Sequence, residues 1–190
     1  MSFKKLDRRE AVSSLLEHRA NLLIVSGLGS PTYDVHAAGD CDQNFYLWGA
    51  MGGAAMMGLG LAIARPEKSV LVITGDGEQL MGIGGLATIG VQKPKNLTLA
   101  ILDNGHFGET GMQKSHTSHG VDLVTIARGS GFFEAVEINN FSELNKIKKK
   151  INLNLGSLFI NIKIDNNSHD RSLPTLDGVE IKNRFRRSLN

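Results

Sequence analysis

The chain has 190 residues, with 21 Lys+Arg against 19 Asp+Glu and a net charge of +2. That is the size of one α/β domain with a real core, and the charge gives no argument for nucleic acid. Its single cysteine, Cys41, excludes a disulfide framework and a cysteine-ligated iron–sulfur cluster within the chain.

In chain order, apolar spacing predicts a helix over 8–18, with Ala11, Leu15 and Leu16 to one side. A short buried strand over 22–25 ends in the loop Ser26-Gly27-Leu28-Gly29-Ser30-Pro31. A strand over 44–48 precedes an Ala, Met and Gly helix over 53–64. That helix is apolar nearly all round, so it is expected to be buried. A strand over 70–74, a helix over 79–91 and a strand over 97–102 follow. Residues 105–120 form a polar loop, long enough that a function is expected of it. A short helix over 121–128, a strand over 134–138, a basic helix over 142–151 and a strand over 158–164 complete the pattern. Lys146, Lys148, Lys149 and Lys150 read as a solvated face. The tail over 165–190 is polar and carries Arg184, Arg186 and Arg187.

Strands alternating with helices predict an α/β fold, a doubly wound, mostly parallel sheet with helices on both faces. One domain is expected over 1–190. Met1-Ser2-Phe3-Lys4-Lys5 runs into charge, so no secretory leader is expected. The apolar stretch Met51–Ala64 is Gly-rich and too short for a membrane span. A cytoplasmic location follows as the default.

Two motifs carry the chemistry. Gly75-Asp76-Gly77 closes the apolar run Val70-Leu71-Val72-Ile73-Thr74, and Asp103-Asn104 closes Leu97-Thr98-Leu99-Ala100-Ile101-Leu102. Both therefore sit at carboxyl ends of strands, where open parallel sheets bind ligands. An Asp carboxylate and an Asn carbonyl are hard oxygen donors suited to Mg²⁺ with phosphate oxygens. Gly75 and Gly77 permit close backbone approach, and a following helix would aim free N–H groups at an anion. Half of the 22 glycines fall between Gly49 and Gly90, where backbone must pack close to backbone or to a ligand.

The pair resembles the thiamine diphosphate (ThDP) motif, in which Gly-Asp-Gly is followed by Asn-Asn, here Asp-Asn. Leu47-Trp48-Gly49-Ala50-Met51-Gly52 is similar to the segment that grips the aminopyrimidine in that family. The resemblance implies that Asp76, Asn104 and the backbone carbonyl of His106 hold Mg²⁺. It places Gly75, Gly77 and Glu78 at the diphosphate through backbone groups, with Ser26 and Gly27 in a second diphosphate loop. Phe107 stands beside the cofactor, and Gly49, Ala50 and Met51 meet the aminopyrimidine. Met51 would prop the bent coenzyme. Glu78 stands where many relatives have Ser, so its carboxylate is expected to turn away.

Over 22–164 the chain resembles the diphosphate-binding half of the 2-oxo acid decarboxylases that act on sulfopyruvate and phosphonopyruvate. Asn44-Phe45-Tyr46, Gly75 to Met81, Leu102-Asp103-Asn104-Gly105, Glu109 to Gln113, Ser115-His116-Thr117 and Val121-Asp122-Leu123 carry the likeness. It implies a small anionic 2-oxo acid as substrate, with Met51, Glu109, Thr110 and His116 as catalytic candidates. His106, His116 and His119 also read as solvated loop histidines or, more remotely, as a metal site of their own. ThDP activation needs a glutamate from a pyrimidine-binding domain, for which this chain has no second α/β unit. A separate pyrimidine-binding (α) subunit is therefore expected, and self-association is compatible with it. The competing readings are the β half of another ThDP enzyme, a non-enzymatic ThDP-binding regulatory module, and a plain nucleotide-binding domain. The last lacks both Gly-x-Gly-x-x-Gly and the P-loop pattern.

Overall fold

The computed structural model describes residues 5–189; the leader reading of Met1–Lys4 lies outside them. The chain runs α1 (Arg8–Leu16), β1 (Leu23–Ser26), α2 (Ser30–Ala37), β2 (Asn44–Tyr46), α3 (Ala54–Ala64), β3 (Val70–Gly75), α4 (Asp76–Met81), α5 (Gly84–Gln92) and β4 (Leu97–Asp103). It continues through a hairpin of β5 (His106–Phe107) and β6 (Gln113–Lys114), then α6 (Leu123–Gly129), β7 (Glu134–Ile138), α7 (Phe141–Lys148), β8 (Leu158–Lys163) and α8 (Gly178–Arg187). Six strands form one parallel sheet in the order β2-β1-β3-β4-β8-β7. Among the described residues no helix is long and apolar enough to cross a membrane.

β1 and β4 are buried along their whole length, as expected of strands covered on both faces. Alternate residues feed two cores. Ile24, Leu71, Ile73, Ala100 and Ile160 face the layer that contains Ala11, Val12, Leu144 and Ile147. Leu23, Val25, Val72, Leu99 and Phe159 face Ala55, Leu59, Leu86, Ile89 and Ala127. The chain leaves β1 towards β2 on one side, and β3 lies on the other side of β1. The strand order therefore reverses between β1 and β3, which opens a crevice at their carboxyl ends.

The structure corrects four expectations. The helix predicted over 79–91 is two helices, broken at Gly82 because the backbone of Gly52 packs on it; a Cβ there would lie 2.1 Å from the Gly52 carbonyl oxygen. The loop over 26–31 already contains the start of α2, which Pro31 suits at the first turn. α3 is not buried all round, since Met56 is 39% and Ile63 56% exposed. The polar tail ends in a capped helix: the Asp177 carboxylate accepts from the N–H groups of Val179 and Glu180.

α8 packs against the edge strand β2, and Arg184 pairs with Asp40 at 2.6 Å. Covering an edge in this way removes a template for unwanted strand pairing. Ile181 and Phe185 are its two buried residues, and Phe185 meets the Phe45 ring edge-on at 5.4 Å between centroids. Phe185→Ala should cost about 3 kcal/mol, measured by urea unfolding. A loss under about 1 kcal/mol would mean that α8 contributes little to the fold.

Candidate functional site

The crevice holds a cavity of about 390 Å³, walled by Met51, Gly75, Asp76, Gly77, Glu78, Asn104, His106, Phe107, Glu109 and Thr110 among the residues singled out by sequence. Arg8, Leu28, Ser30, Pro31, Met81, Leu102, Gly108 and Ile164 complete the wall. β3 delivers Asp76 as the first residue of α4, earlier than the sequence pattern suggested. The free N–H groups of that turn therefore belong to the motif itself, where negative charge is favoured.

Asp76 is 2% exposed. One of its oxygens accepts from the Ser115 hydroxyl and from Thr117 Oγ1 at 3.0 Å. Residues 105–120 are thus a wall rather than a free loop. Burial pushes the Asp76 carboxyl above its ordinary value, neighbouring Asp103 adds to this, and the two hydroxyls oppose it.

Asp103, where the family motif has its first Asn, is turned away from the crevice. It is 1% exposed and accepts from Gly105 N–H (3.1 Å), Asn161 (3.0 Å) and Lys163 (2.5 Å), while Thr117 Oγ1, 2.8 Å away, has one proton to share between it and Asp76. Burial alone would raise its carboxyl, but Lys163, Asn161 and Thr117 overcome that and hold it below the usual range. Thr117 bridges Asp103 to Asp76, so the Asp-for-Asn exchange is absorbed by a supporting network. Asn104 lines the cavity, and its Oδ1 accepts from His106 N–H at 2.8 Å while keeping a second lone pair. The His106 ring is tied to the Asn104 carbonyl at 2.9 Å.

Glu78 turns inward: it is 4% exposed, and its Oε2 accepts from Leu28 N–H at 3.0 Å. Its other oxygen has no protein partner, and burial pushes its carboxyl up. It lies under Gly27, where a Cβ would fall 1.9 Å from Oε2, so the loop after β1 rests on this side chain. Gly77 meets the Phe107 ring, which a Cβ would strike at 2.3 Å. At Gly75 a Cβ would meet nothing within 4 Å, which leaves the backbone open to the cavity.

Some predicted residues stay off the wall. Ser26 is fully buried and bonded to Thr32 at 2.8 Å. Gly27, Gly49 and Ala50 do not line the cavity, and His116 is exposed away from it. Among the described residues no three His, Cys, Asp or Glu side chains are grouped to hold a metal, so the loop histidines form no such site. The sequence reading gave no role to Ser115 and Thr117, although Ser-x-Thr opposite a buried Asp was a usable signal. Nor did it anticipate Arg8, whose position depends on packing between distant segments.

Residues 32–162 match the family described as thiamine pyrophosphate enzyme, C-terminal TPP binding domain. The chain belongs to this family. The cofactor of this TPP-binding domain is thiamine diphosphate. The sulfopyruvate decarboxylase subunit beta of Methanocaldococcus jannaschii is 43% identical over 65% of each chain. That of Methanococcus maripaludis is 33% identical over 97% of this chain and 98% of its own. The phosphonopyruvate decarboxylase of Streptomyces viridochromogenes is 34% identical over 90% of this chain but only 43% of its own length. The crystal structure of benzoylformate decarboxylase from Polynucleobacter necessarius overlays with a TM-score of 0.70 at 16% identity, covering 89% of this chain and 36% of that one. That likeness shows the fold alone.

The donor set fits the group. A carboxylate and an amide oxygen at the crevice suit Mg²⁺, and the open backbone at Gly75 leaves room for a diphosphate. Protons and metal should therefore compete for Asp76. A raised carboxyl stabilises the ligand-free fold at pH below its unfolded value, and that contribution is lost as pH rises through the folded value. Mg²⁺ needs the ionised form. On raising pH from about 4 to 7, the rise in Tm given by Mg²⁺ with ThDP should grow, starting above the ordinary 3.8 of an aspartate. A Tm rise that does not change across that range would contradict a buried, proton-competent Asp76 as ligand.

Proposed function

We propose that the chain is the ThDP- and Mg²⁺-binding subunit of a 2-oxo acid decarboxylase. Its substrate is a small anionic 2-oxo acid of the sulfopyruvate or phosphonopyruvate class. It works with a separate pyrimidine-binding subunit, and a cytoplasmic location goes with this reading. The observation that carries it is one cavity that gathers Asp76, Asn104, His106 and Met51, with one oxygen of each of its two glutamates held by another residue. Glu78 is bound to Leu28, and Glu109 pairs with Arg171 at 3.3 Å. In this reading the activating glutamate is supplied by the pyrimidine-binding subunit.

Asp76, Asn104 and the His106 carbonyl hold the metal, and backbone N–H groups from Gly75 to Glu78 take the diphosphate. Bound thiamine diphosphate supplies the electron sink for the departing carboxylate. Met51, 41% exposed at the cavity edge, supports the aminopyrimidine, with Gly49 and Ala50 beside it in the left-handed region at φ +87° and +49°. Ser26 and Gly27 support the diphosphate loop from below. Glu109 and Thr110, on the short turn after β5, face the substrate. His116 has no role in this reading.

The chain alone, with ThDP and Mg²⁺, should not turn over sulfopyruvate, phosphonopyruvate or pyruvate. Addition of a pyrimidine-domain subunit should restore aldehyde and CO₂ release. Robust turnover by the single chain would overturn the split arrangement. In the assembled enzyme, Met51→Gly should lower kcat by about tenfold or more with little loss of ThDP affinity, since the diphosphate anchor remains. Unchanged kcat would return Met51 to a packing role.

A further inference from the structure

We propose that Arg8 is an oxyanion-binding residue of the cavity, presenting a guanidinium edge to a phosphate, phosphonate or sulfonate group. The inference rests on the reading of the cavity as the cofactor and substrate site. It names a specificity or anchoring residue that none of the cofactor motifs contains.

Arg8 opens α1, is 7% exposed, and lines the cavity. One nitrogen, Nη1, donates to the Asp34 carboxylate and to the Ser30 carbonyl at 3.4 Å. Asp34 is fully buried, and its other oxygen accepts from Arg9 Nε at 3.1 Å. Two guanidiniums thus share one carboxylate, and the cluster keeps a net positive charge. Among the described residues nothing accepts a hydrogen bond from Arg8 Nε or Nη2, and the residue lines the cavity. Asp34 and Ser30 fix the rotamer, so little side-chain entropy remains to be lost on binding. The fork of a guanidinium matches two oxygens of a tetrahedral anion, and partial burial strengthens the contact.

The balance of charge around the cavity points the same way. Its wall carries three carboxylates, Asp76, Glu78 and Glu109, with His106 beside them. Arg8 is the only Lys or Arg on that wall among the described residues. A cavity for an anionic cofactor and an anionic substrate has this one permanent cation of its own. Arg9 touches the same Asp34 but donates outward to the Asp170 carbonyl at 2.7 Å and is not on the wall. It therefore separates an anion-binding role from a merely structural one.

The oxyanion has two possible sources: the diphosphate of the cofactor, or the anionic group at the far end of the substrate. The test compares wild type, Arg8→Gln, Arg8→Lys and Arg9→Gln as full chains, each first checked for folding by thermal melting. Calorimetry measures Mg²⁺-dependent binding of ThDP and of inorganic pyrophosphate. Kinetics on the complex with the pyrimidine subunit compare sulfopyruvate with pyruvate. If the cofactor is the source, Arg8→Gln weakens both ThDP and pyrophosphate by about tenfold or more. If the substrate is the source, those affinities hold, and kcat/KM for sulfopyruvate falls about tenfold or more relative to pyruvate. Arg8→Lys should show a smaller loss in the same arm, and it decides the matter if Arg8→Gln does not fold. Values within about twofold of wild type in both arms, or an equal effect of Arg9→Gln, would overturn the proposal. A wild-type chain that bound pyrophosphate but not ThDP would instead sink the functional reading, with the Arg8 comparison still readable on pyrophosphate.

Discussion

The rest of the structure depends on one buried carboxylate. Asp76 sits at the carboxyl end of β3, 2% exposed, where an ionised side chain without partners would cost several kcal/mol. The protein meets that cost with the Ser115 and Thr117 hydroxyls, with the start of α4, and with the Lys163 charge beyond Asp103. These partners oppose the effect of burial only in part, since the carboxyl stays above its ordinary value. A divalent cation at these oxygens would favour the ionised form, which burial disfavours.

The glycines around it serve distance. Gly82 lets the chain break between α4 and α5 against Gly52, Gly77 admits the Phe107 ring, and Gly27 admits the Glu78 carboxylate. Each brings one wall of the crevice within reach of the next. Glu78 shows how a departure from the family motif is absorbed. Its carboxylate, which would repel a diphosphate, is turned under the loop after β1 and held by Leu28 N–H. Asp103 is a parallel case, converted from a position the motif gives to Asn into the centre of a network with Lys163 and Asn161.

Much of this was legible in the sequence. The runs Val70–Thr74 and Leu97–Leu102 gave β3 and β4 because strands covered on both faces read as unbroken apolar stretches. Their ends gave Asp76 and Asn104 because motif and strand end coincide. The start of α4 was misplaced because two glycines in its first turn mask the helical pattern. α8 was missed since only Ile181 and Phe185 mark its buried face in a charged segment. Arg8 was invisible for a different reason. Its neighbours in space, Ser30, Asp34 and Ile164, are far away along the chain, and no local spacing records packing of that kind. His116 lies exposed and off the cavity wall, whereas Ser115 and Thr117 on either side of it reach Asp76.

The central claim is that Asp76 binds the metal that anchors the diphosphate. Its most direct test is calorimetric titration of the folded chain with ThDP, with and without Mg²⁺, for wild type and Asp76→Ala. The account predicts Mg²⁺-dependent binding by wild type and none detectable by Asp76→Ala, with the variant still folded by circular dichroism. Binding by Asp76→Ala equal to wild type, with the same dependence on Mg²⁺, would contradict it.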